Sequence, residues 1–70
     1  MKEKIIESLV ELTLRANDDI KIAAILALGD YKATIEQRNA IFRIIELSKS
    51  PNKEIAISSI KALSKLSIYF

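Results

Sequence analysis

Few side chains in this sequence could do covalent or acid–base chemistry. Cys and His are absent, which excludes thiol nucleophiles, disulfides, zinc clusters and imidazole bases. The chain has one Gly, so no glycine-rich loop exists to cradle a phosphate. Glu7 and Glu11 are four residues apart, a spacing that stacks two side chains on one helix face. Two carboxylates so placed could share a proton in acid–base work. Both fall on a polar stripe, however, where a solvated pair is expected. Ser58 and Ser59 are neighbouring hydroxyls inside an apolar helical pattern, with no base to activate them. The acidic residues lack EF-hand spacing. No catalysis, metal, cofactor or small-molecule substrate is expected.

The cations offer a different chemistry. Eleven Lys and Arg face nine Asp and Glu, a net charge of +2. The split is uneven: residues 1–31 carry −2 and residues 32–70 carry +4. Arg38, Arg43, Lys61 and Lys65 in the basic half are candidate phosphate contacts, with Lys49 and Lys53 alongside. Glu36, Glu46 and Glu54 interrupt them, and no aromatic residues interleave to stack on bases. Nucleic-acid binding is therefore the second reading.

The elements that must position these residues are helical. A chain of 70 residues makes one small domain. Half of it is hydrophobic, including 13 Ile, eight Leu and eight Ala, with one Gly and one Pro. That composition excludes a disordered tail, collagen and most all-β designs. No apolar run approaches the roughly 18 residues of a membrane span. Met1-Lys2-Glu3-Lys4 leads into a helical pattern with no cleavage site, so no signal peptide is expected and the cytoplasm is the expected location. Many Ile, Lys and Glu with no Cys resemble a thermophile's composition.

The chain is a duplicated unit. Shifted by 35 residues, its halves align without a gap, residues 1–35 on 36–70. Nine positions are identical: Ile6/Ile41, Glu11/Glu46, Leu12/Leu47, Asn17/Asn52, Ile20/Ile55, Ile22/Ile57, Ile25/Ile60, Ala27/Ala62 and Leu28/Leu63. Leu9/Ile44, Val10/Ile45, Thr13/Ser48 and Asp19/Glu54 are conservative. Each half reads as two helices. The first covers about residues 2–15, with Ile5, Leu9 and Leu12 on one stripe. Asn17 caps a second, with Asp18 and Asp19 at its positive end and Gly29 as its stop after Leu28. Thr34-Ile35-Glu36-Gln37 fits a capping box opening a third, to about Ser48. Ser50-Pro51-Asn52 breaks the chain, and Asn52 caps a fourth helix with Ile55, Ser59, Ala62, Leu63 and Leu66 inward. Short connections make neighbouring helices antiparallel. The spacing predicts an all-α fold of four helices, two stacked hairpins in a short superhelix. A free-standing four-helix bundle would bury the same positions.

Two helices per 35 residues is a solenoid signature. Asn17-Asp18-Asp19-Ile20-Lys21-Ile22-Ala23-Ala24-Ile25-Leu26-Ala27-Leu28-Gly29 resembles the second helix of a HEAT repeat, an acidic turn, a Val-Arg-like pair, two alanines and Ala-Leu-Gly. Ser50-Pro51-Asn52-Lys53-Glu54-Ile55, with Ser58-Ser59 and Ala62-Leu63-Ser64, resembles a second copy. It departs at Ala56, where Lys21 supplies the usual base, at Ser58 and Ser59 for the alanines, and at Ser64 for the Gly. The resemblance implies two HEAT-like repeats that bind other molecules through their surfaces, DNA included in some members.

Helical repeats bury their faces against neighbours, and fewer than three units leave faces over. At about 100° per residue, Ile22 and Leu26 point away from the face Ile20, Ala24, Ala27, Leu28 and Tyr31. The sequence closes on apolar Ile68-Tyr69-Phe70. Surplus apolar surface marks a protein interface, and Ile22, Leu26, Tyr69 and Phe70 are its candidate contacts. The expected function is a protein–protein interaction module, self-associating as a homodimer with the oppositely charged halves setting orientation. A two-fold antiparallel dimer closes the assembly, whereas head-to-tail stacking leaves it open.

Overall fold

The computed structural model describes residues 1–70. It is all-α, with helices α1 (Lys2–Leu12), α2 (Asp18–Asp30), α3 (Arg38–Leu47) and α4 (Lys53–Ser67), and a 3-10 helix over Lys32–Glu36. Asn17 and Asn52 start α2 and α4 as the alignment predicts. Each side-chain oxygen accepts the N–H three residues on, from Ile20 and Ile55, at 3.1 Å in both cases. The correspondence extends to the ends of α1 and α3. Thr13 Oγ1 donates to the Val10 carbonyl, and Ser48 Oγ donates to the Ile45 carbonyl. Polar residues 35 apart in sequence thus do the same local work twice.

Helices α2 and α4 lie side by side and run parallel. At their starts Asn52 Nδ2 donates to Asp18 Oδ2 at 3.0 Å. At their ends Lys65 Nζ meets Asp30 Oδ1 at 2.7 Å. Gly29 lies against Ala62 between these points. The partners stand 33 to 35 residues apart, so the two helices pack in step with the sequence period. Helix α1 packs on α2 and α3 on α4, giving two hairpins joined along α2 and α4. Ile6, Ile25, Leu28, Ala40, Ile44, Ile55, Ala62 and Leu66 form the buried layer between them.

Three local expectations are corrected. Helix α1 ends at Leu12, short of residue 15. Arg43 binds this end: its Nε donates to Thr13 Oγ1 at 3.0 Å and its Nη2 to the Thr13 carbonyl at 2.9 Å. A guanidinium there meets a carbonyl that the helix end leaves without an intrahelical partner, and suits the negative end of the helix dipole. Gly29 does not stop α2. It is buried inside the helix, which runs on to Asp30, and no residue has positive φ. A Cβ at Gly29 would come within 2.7 Å of both Cα and Cβ of Ala62, so the glycine serves close helix approach. Thr34 does not open a capping box. It is fully buried in the 3-10 helix, and its hydroxyl donates to the Leu28 carbonyl at 2.9 Å. Helix α3 begins after Gln37 with no side-chain cap.

Candidate interaction surface

The 35-residue correspondence sorts the surface into two ends. At the first, Ile5 and Leu9 of α1 and Ala27, Asp30 and Tyr31 around α2 line an open, largely apolar groove of about 410 Å³. Their counterparts in the second half are Ala40, Ile44, Ala62, Lys65 and Leu66. The four apolar counterparts are at most 1% exposed, because they are what the second hairpin presses onto the first. The groove is therefore the surface that, one repeat later, does the covering.

At the other end, α4 exposes Ile57 and Ile60, with Lys61 and Ser64 beside them and Ile68 just beyond the helix. Spacings of three and four put these on one stripe. Their counterparts are Ile22, Ile25, Leu26, Gly29 and Ala33. Ile25 is 0% exposed beneath the second hairpin, whereas Ile60 is 56% exposed. The same residue at the same repeat position is core in one half and bare in the other.

The candidate interface residues fall in different settings. Ile22 is half-buried and packs on the chain's own core. Leu26 is 40% exposed. Tyr69 lies beside Gly29, Asp30, Lys65 and Ile68, with Lys32 Nζ 5.2 Å from its ring centroid, a cation–π distance. Phe70 projects, 77% exposed. Tyr69 thus packs on its own chain, and Phe70 stays free. Ile57, Ile60 and the exposed Phe42 were not singled out from sequence. The pair Ile25/Ile60 carried the signal for Ile60, since one unit buries this repeat position and the other exposes it.

No family model, curated protein or solved structure matches the chain.

Of the candidate nucleic-acid contacts, Arg43 is taken up by Thr13 and lies 3.6 Å from Glu46. Lys65 is taken up by Asp30. Arg38 and Lys61 are exposed and make no ion pair. The remaining polar chemistry is local. Glu7 and Glu11 are exposed. Ser58 and Ser59 donate to the carbonyls of Glu54 and Ile55, each at 2.8 Å, which leaves neither hydroxyl aimed at a groove. Glu3 holds its proton less tightly than an ordinary carboxyl, first through its own backbone N–H in the first turn of α1 and then through the Met1 ammonium. It is fully exposed and outside the groove. No three acidic side chains converge to hold a metal ion, and no helix is long and apolar enough to cross a membrane.

Proposed function

We propose that this protein is a HEAT-like helical-repeat module of two units, 1–35 and 36–70, that works by binding protein, first of all a second copy of itself as a homodimer. It acts without catalysis or cofactor, in the cytoplasm. One observation carries the reading: Ile25 is sealed by the neighbouring hairpin while its repeat counterpart Ile60 is open. Two hairpins that pack in step supply one repeat-to-repeat contact and leave both halves of another unused. Leu26 and Phe70 are further exposed apolar side chains, and Tyr69 and Ile22 are partly covered by their own chain. Apolar faces that recur at repeat positions are interfaces more readily than stray surface.

Nucleic-acid binding through Arg38, Arg43, Lys61 and Lys65 is favoured less, because Arg43 and Lys65 already hold the two hairpins together. The deciding experiment is association of the purified chain across a concentration series, with Ile60→Glu beside it. The reading expects the native chain to exceed 7.9 kDa as concentration rises, and Ile60→Glu to stay monomeric with unchanged helicity. Salt-sensitive binding to duplex DNA by a chain that stays monomeric would support the other reading.

A further inference from the structure

The geometry points to head-to-tail association: the α4 stripe of one copy seats Ile60 in the Ile5–Leu9–Ala27–Tyr31 groove of the next, with Lys65 of the first beside Asp30 of the second. This rests on the self-association reading and goes beyond it by assigning the two surfaces and their register, with the homodimer as the first step of an open stack rather than a closed two-fold pair. The chain contains a worked example of the contact. Inside one molecule, Ala62 meets Gly29, and Ala40, Ile44 and Leu66 share one buried cluster with Ile25. The groove is the counterpart of the covering surface, and the α4 stripe is the counterpart of the covered one. Joining them adds a third and fourth repeat in the same sense, and burying Ile57 and Ile60 supplies the apolar driving force.

Charge supports this pairing of unlike ends. Asp30 lines the groove in the half that carries −2, and Lys61 and Lys65 border the stripe in the half that carries +4. The internal contact already sets Asp30 against Lys65 at 2.7 Å. A head-to-tail neighbour repeats that arrangement, so Asp and Lys alternate along the stack. A two-fold contact of α4 with α4 would instead oppose Lys61 and Lys65 to their own kind.

Two departures from the repeat make the contact looser than the internal one. Ser64 carries a Cβ at the position where Gly29 lets Ala62 in. Ser8 stands at the counterpart position of Arg43, so no guanidinium clamps the preceding hairpin. The association is therefore weak and reversible, and being heterologous it does not close at two copies.

The test uses the absence of native cysteine. Ala27 and Ser64 are the counterparts of Ala62 and Gly29, where α2 and α4 approach closely. Ala27→Cys and Ser64→Cys are made singly and oxidised mildly, alone and mixed. The proposal expects a disulfide-linked heterodimer in the mixture and no more than background dimer from either alone. The double variant A27C/S64C should give a ladder of trimers and higher species. Ser64→Cys linking to itself when alone would overturn the register while leaving self-association intact. So would native chain that gains mass in solution while the mixture stays unlinked. A chain of 7.9 kDa at every concentration, with no crosslink, would overturn both. Circular dichroism of each variant before oxidation separates misfolding from a missing contact. Should Ala27→Cys not fold, Ala23→Cys with Ile60→Cys, one turn earlier on both helices in the same register, replaces the pair.

Discussion

Gly29 of α2 lies so close to Ala62 of α4 that a methyl group on Gly29 would come within 2.7 Å of two Ala62 carbons. The one glycine of the chain sits where its two hairpins meet. Gly29→Ala should therefore destabilise the fold, although alanine favours a helix by about 1 kcal/mol over glycine. Overpacking against backbone costs about 1–3 kcal/mol, and here the neighbour is Ala62 Cα, which cannot turn aside. Urea unfolding followed by circular dichroism measures the balance. A more stable Gly29→Ala would show that α2 and α4 separate freely.

Arg43 joins the hairpins at the far end of α1. Its guanidinium gives two hydrogen bonds to Thr13, which is fully buried. Hydrogen bonds from a charged donor contribute about 1.5–3 kcal/mol. Arg43→Ala should lower stability by about 2 kcal/mol, and Arg43→Lys should recover only part, since a single ammonium lacks the fork. A double-mutant cycle with Thr13→Val isolates the coupling. Additive losses would show that the Nε–hydroxyl bond contributes nothing and that Arg43 acts through the Thr13 carbonyl, which Thr13→Val keeps.

The two asparagine caps predict unequal losses. Asn17 and Asn52 each accept one N–H at 3.1 Å, and removal of such a cap costs about 1 kcal/mol. Asn52 also donates to Asp18 across the hairpin joint at 3.0 Å. Asn52→Ala should therefore cost more than Asn17→Ala, by about 0.5 kcal/mol for an exposed hydrogen bond. Thermal melts of the two variants decide it, and equal melting temperatures would show that the Asp18 bond contributes nothing.

Leu26→Glu and Ile60→Glu should weaken self-association and leave helicity and melting of the monomer within about 0.5 kcal/mol of the native chain, as for surface substitutions generally. Both side chains are exposed, at 40% and 56%. Ile25→Glu, at the buried counterpart of Ile60, should prevent folding, because an unpaired charge would enter the core. Unfolding of the monomer by Leu26→Glu would place Leu26 in the core and remove it from the interface.

The helices and their pairing were legible in the sequence because periodic Ile, Leu and Ala positions, Asn caps and a 35-residue period all agree. Ile55, Ser59, Ala62 and Leu66 point inward as their spacing predicts. What sequence reasoning misplaced were residues with two physical roles. Gly29 suits a helix end and a close approach equally, and only the position of Ala62 decides between them. Thr34 suits a cap and a buried hydrogen bond, and the carbonyl of Leu28 near the end of α2 claims it. Arg43 reads as a surface cation until Thr13, 30 residues away, is brought beside it. The stripe through Ile57 and Ile60 needed the stacking direction, because an amphipathic pattern does not say which side has a neighbour.

The most direct test of the account is the mass of the purified chain in solution, by light scattering across a concentration series at low and high salt. The account predicts a mass that climbs from 7.9 kDa toward dimer and beyond as concentration rises, more readily at low salt. A constant 7.9 kDa from micromolar to millimolar concentration would contradict it.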